Sequence, residues 1–86
     1  MSLREDIEAR LQSEFVPEDL LVNDDSTQHI GHAEAGGGGH YSVLIVSNRF
    51  EECSLLERHR LVYDALKPLR KNIHALSIRA LAPGEI

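Results

Sequence analysis

Five histidines and one cysteine are the side chains in this 86-residue sequence best suited to binding a metal or moving a proton. Imidazole exchanges a proton near neutral pH and, when neutral, offers a ring nitrogen to iron, zinc or copper. His29 and His32 are three residues apart, and His40 follows four consecutive glycines, Gly36 to Gly39. His59 lies between Arg58 and Arg60, and His74 opens the run His74-Ala75-Leu76-Ser77-Ile78. Cys53 just precedes a helix start, but no partner base accompanies it and it reads as a bystander. No Ser-His-Asp or Cys-His order, P-loop, zinc finger or dinucleotide fingerprint can be assembled, so binding is expected rather than catalysis.

The elements that must position these groups follow from capping and periodicity. Ser54 and Glu57 form a capping box, each side chain satisfying an orphan backbone N–H, so a helix should start there. Leu55, His59, Val62, Leu66 and Leu69 then recur at helical spacing as one apolar stripe, with His59 packed inside it and Arg58 and Arg60 facing solvent. Beyond Pro68 and Asn72 the period drops to two, which places His74, Leu76, Ile78 and Ala80 on one strand face and Ala75, Ser77 and Arg79 on the other. Ser2 and Glu5 form a second capping box ahead of Leu3, Ile7, Leu11 and Phe15, an amphipathic first helix that ends near Phe15 because the residue before Pro17 is pushed out of the helical region. Leu20 to Asp24 reads as a short strand, and Tyr41 to Ser47 as a more deeply buried one, with Phe50 placed to plug the core. Between these strands, Asp25 to His40 is polar and glycine-rich and is expected to be a flexible loop; His29 and His32 by spacing alone read as part of a solvated polar loop. Pro83-Gly84-Glu85 reads as the start of a helix cut short at Ile86.

Length and 42% apolar side chains allow one domain, residues 1–86, with one small core. The formal charge of −5 argues against general attraction to nucleic acid, leaving a local basic patch at Arg58, Arg60, Lys67, Arg70 and Lys71. A single cysteine excludes an internal disulfide framework and fits a reducing compartment. No apolar run approaches the roughly 20 residues needed to span a bilayer, and no signal-peptide core is seen, so a soluble intracellular protein is expected. Its place would be the cytoplasm, or the mitochondrial matrix if the source is eukaryotic.

Phe50, Arg58-His59-Arg60-Leu61-Val62-Tyr63 and His74-Ala75-Leu76-Ser77-Ile78, preceded by His40-Tyr41-Ser42-Val43 and Val46-Ser47, resemble the BolA family from about residue 3 to residue 83. The resemblance implies an α+β, class II KH-like fold of order α-β-β-α-β with a truncated C-terminal helix and a three-stranded sheet carrying its helices on one face. It also implies a non-enzymatic adaptor that binds a monothiol glutaredoxin and shares a glutathione-dependent 2Fe-2S cluster with it, the isolated chain holding none. Carried over residue by residue, the strand ligand is His74 and the loop ligand His29, with His32 as a close competitor; His40, which opens a strand next to four glycines, ranks below both as a third contact by its position alone. The chain alone would be a monomer or weak homodimer, with no membrane partner. One departure is visible: the family usually has Gly two residues after the Phe, and Glu52 stands there, adding negative charge where a phosphate would approach. The alternative the family suggests is a DNA-binding transcriptional regulator using the helix with Arg58 and Arg60.

Overall fold

A computed structural model describes residues 2–25 and 39–85. Its elements are α1 (Leu3–Phe15), β1 (Asp19–Asp24), β2 (Gly39–Val46), α2 (Leu55–Ala65) and β3 (Ile73–Leu81), with short 3-10 turns at Asn48–Phe50, Lys67–Asn72 and Pro83–Glu85. This is the α+β, α-β-β-α-β order expected. The 3-10 turn at Pro83–Glu85 stands where a helix start was read.

Both helices begin at the two capping boxes. The Ser2 and Ser54 hydroxyls accept from the amides of Glu5 and Glu57 at 3.1 Å, and each glutamate accepts from its serine's amide in return. These bonds hold both carboxyls below the usual carboxylate range. α1 closes at Val16, whose φ of 42° is left-handed and whose amide reaches Gln12 O, so the chain turns sharply toward β1.

β2 is the centre of the sheet, antiparallel to β1 and parallel to β3. The alternation of strand side chains puts Val22, Tyr41, Val43, Ile45 and Ala80 on one face, where they meet Ile7, Leu11 and Phe15 of α1 and Val62, Ala65 and Leu66. Phe50 is fully buried among them, its ring 5.2 Å from that of Phe15, and burial of such a ring contributes roughly 1.5–3 kcal/mol. Ser47, also buried, donates its hydroxyl to Phe15 O and accepts from the Arg49 amide, tying the end of β2 to the end of α1.

Two expectations need correction. Of the expected α2 stripe, Val62 and Leu66 are buried and Leu69 packs against the core, but its first turn is not part of it: Leu55 is 70% exposed and His59 half-buried, while Arg58 joins Val62 and Ala65 in the buried row. Arg58 faces inward, 6% exposed. Its guanidinium donates through Nε to Cys53 O at 3.0 Å, through Nη1 to Ala80 O at 3.0 Å, and through both Nη atoms to the Glu85 carboxylate at 2.6 and 2.8 Å. The inward arginine has a plain cause: each of its three guanidinium nitrogens finds an acceptor, and its fork bridges the start of α2, the end of β3 and the turn beyond it. Arg60 is exposed as expected.

Glu52 has φ 63°, the left-handed conformation for which glycine carries no steric cost and other residues about 1–2 kcal/mol. The tight turn ahead of α2 is therefore formed with glutamate in a glycine-type position.

Arg58, and next the Ala82 amide, hold the Glu85 carboxyl down to about 2 from its ordinary 4.5. A depressed carboxylate pKa stabilises the fold above pH 4.5 and loses that contribution as pH falls toward 2. Acid titration followed by circular dichroism should show stability declining through this window, and Glu85→Gln should be less stable at pH 7 and show a shallower decline. An acid profile identical in the two proteins would contradict the clamp.

Candidate functional site

The site is built where the strands start. Gly39 pairs with Ile73 but His40 pairs with Ala75, so the β2–β3 ladder carries one extra residue, His74. Ile73 packs against the core ahead of the bulge, and Leu76 and Ile78 do so beyond it. The bulge takes His74 out of this inward set, and its side chain is exposed. That corrects the expectation that His74 shares the face of Leu76, Ile78 and Ala80.

The imidazole of His74 meets that of His40, half-buried on the neighbouring strand, with ring centres 5.0 Å apart and planes tilted by 42°. His40 is held from the other side too, since its carbonyl accepts the Asp25 amide at 2.7 Å. Asp25 and Gly39 are the residues on either side of 26–38, so the two ends of that segment are joined next to His74. His29 and His32 lie outside the described residues. Among the described residues no group of three or more His, Cys, Asp or Glu is gathered as a metal would need. Two imidazoles by themselves cannot complete a 2Fe-2S cluster, which takes four donors.

The remaining candidates are apart from this cluster. Cys53 is half-buried before α2, its thiol 3.6 Å from Arg49 O. Arg58 is committed to Glu85 and two carbonyls, leaving Arg60 exposed on α2 and Lys67, Arg70 and Lys71 on the turn after it; the Arg70 guanidinium lies 4.6 Å from the Tyr63 ring centre. Strand alternation alone reveals neither the bulge nor that His40 lies alongside His74. Nor does any local spacing point to Glu85 as the partner of Arg58, because the two are on separate elements.

Comparisons with known proteins agree with this architecture. Residues 11–85 match the family model of BolA-like protein. SufE-like protein 1, chloroplastic/mitochondrial, of Arabidopsis thaliana is 45% identical over 87 residues, covering 93% of this chain and 24% of that protein. Protein BOLA1, chloroplastic, of the same plant is 44% identical, covering 88% of this chain and 51% of its own length. The DNA-binding transcriptional regulator BolA of Escherichia coli is 39% identical, with 91% and 73% covered. This chain thus spans a quarter to a half of the two plant proteins and most of the bacterial one. Among solved structures, the BolA domain of SufE1 from Arabidopsis thaliana superposes with a TM-score of 0.85 at 41% identity, covering 100% of this chain and 98% of that one. By sequence over most of its length and by fold over all of it, the chain belongs to the BolA-like protein family.

Proposed function

We propose that this chain is a non-enzymatic adaptor that binds a monothiol glutaredoxin and co-ligates a glutathione-dependent 2Fe-2S cluster, in iron–sulfur cluster assembly, transfer or iron regulation. His74 is the strand ligand, and His29 or His32 the second. The observation that carries this reading is the exposed His74 imidazole at a bulge beside the joined ends of the segment that holds His29 and His32. Imidazole ligation raises the potential of a 2Fe-2S centre relative to all-thiolate ligation, which suits a cluster that is sensed or passed on. The chain's own part is to present nitrogen donors and leave the sulfur positions to its partner. The relative named SufE-like protein 1 points the same way by its name. The chain would work in the cytoplasm, or in an organelle such as the mitochondrial matrix if its source is eukaryotic.

A second reading, DNA-binding transcriptional regulation, is favoured by the name of the Escherichia coli relative. Burial of Arg58 removes one of its two proposed contacts and leaves Arg60 with Lys67, Arg70 and Lys71. In this reading duplex DNA is retarded at low salt, the retardation weakens steeply as salt rises, and Arg60→Ala/Lys71→Ala abolishes it. Retardation equal in the variant and the parent would contradict a contact through this face.

The adaptor reading is tested by mixing the chain with a monothiol glutaredoxin, iron, sulfide and glutathione and recording visible absorption and circular dichroism. A spectrum distinct from that of glutaredoxin alone, lost in His74→Ala, is expected. An unchanged spectrum, or a His74→Ala protein that behaves as the parent, would overturn it.

A further inference from the structure

We propose that His40 and His74 form a binding site for a borderline divalent cation, zinc or copper(II), in the chain by itself, with no partner needed. The two imidazoles come from neighbouring strands, with ring centres 5.0 Å apart. Two imidazoles on one ion at the ~2.0–2.1 Å zinc–nitrogen distance put their ring centres about 5 Å apart when the angle at the metal is near tetrahedral. The observed separation matches this spacing.

The backbone under both residues is held. The parallel ladder fixes His40 opposite Ala75, the bulge sets His74 one residue earlier, and the Asp25 amide anchors the His40 carbonyl. Donors fixed on paired strands lose less freedom on binding than histidines on a loop, so a two-imidazole site here binds more tightly than isolated surface histidines do. The ligand type sets the ion class: imidazole favours zinc and copper over magnesium or calcium, which prefer oxygen. Exposure of His74 leaves the remaining coordination positions to water or to an incoming group. His74 is shared with the adaptor reading, but the pair itself does not depend on that reading.

The test titrates zinc chloride alone into the full chain by calorimetry, with no glutaredoxin present. One zinc per chain is expected, with His40→Ala and His74→Ala each weakening binding by about tenfold or more, and His59→Ala and His29→Ala/His32→Ala within roughly threefold of the parent. In the parent protein, zinc should shift the ring signals of His40 and His74 together in the histidine NMR spectrum, a readout that does not depend on how any variant folds. Parent-like binding by His40→Ala, loss of binding in the loop double variant, or a His40 ring that zinc leaves unmoved would each overturn the proposal. Because no partner protein or cluster is present, such a failure leaves the adaptor reading untouched.

Discussion

One extra residue in the β2–β3 ladder decides that the imidazole of His74 is exposed. Without the shift between Gly39 and His40, His74 would continue the inward row of Leu76, Ile78 and Ala80 and its imidazole would be directed toward the core. A buried imidazole has no route to a ligand outside the fold and must find a hydrogen-bond partner inside it. With the shift, Ile73 takes the inward position and His74 is exposed against the ring of His40. Strand bulges re-aim single side chains at small cost to the ladder, and this one does so where the 26–38 segment leaves and rejoins the sheet.

That geometry persists because β3 is held at its far end as well. Arg58 clamps Ala80 and Glu85 to the start of α2, so β3 is tied to the helix layer by side-chain hydrogen bonds as well as by apolar packing. A buried guanidinium is tolerated when each of its donors is used, and here Nε and both Nη atoms have acceptors. The motif Arg58-His59-Arg60 thus divides its labour by helix phase: the first arginine is structural, the histidine is half-buried, and the second arginine is exposed.

Much of this architecture was legible from residue order. Both capping boxes, the row Ile7, Leu11 and Phe15, the core role of Phe50 and the α-β-β-α-β order follow from local spacing, because capping and amphipathic burial are decided within a few residues. What was not legible depends on partners far along the chain. The inward placement of Arg58 depends on Glu85, 27 residues away, and hydropathy alone places an arginine outside. The exposure of His74 turns on its register against β2, and a period-two pattern cannot show a bulge. Glu52 was visible as a departure from a glycine position, and the backbone there keeps the left-handed conformation that glycine would adopt most easily.

In the adaptor we propose, His74 brings an imidazole nitrogen to an iron whose sulfur donors lie on another molecule. The most direct measurement is pulsed EPR of the reduced cluster formed by a monothiol glutaredoxin and this chain, with nitrogen-15 placed only in this chain's histidines. A strong nitrogen-15 hyperfine coupling is expected, weakened in His74→Ala and retained in His59→Ala. A spectrum with no nitrogen-15 coupling, or one unaltered by loss of His74, would contradict it.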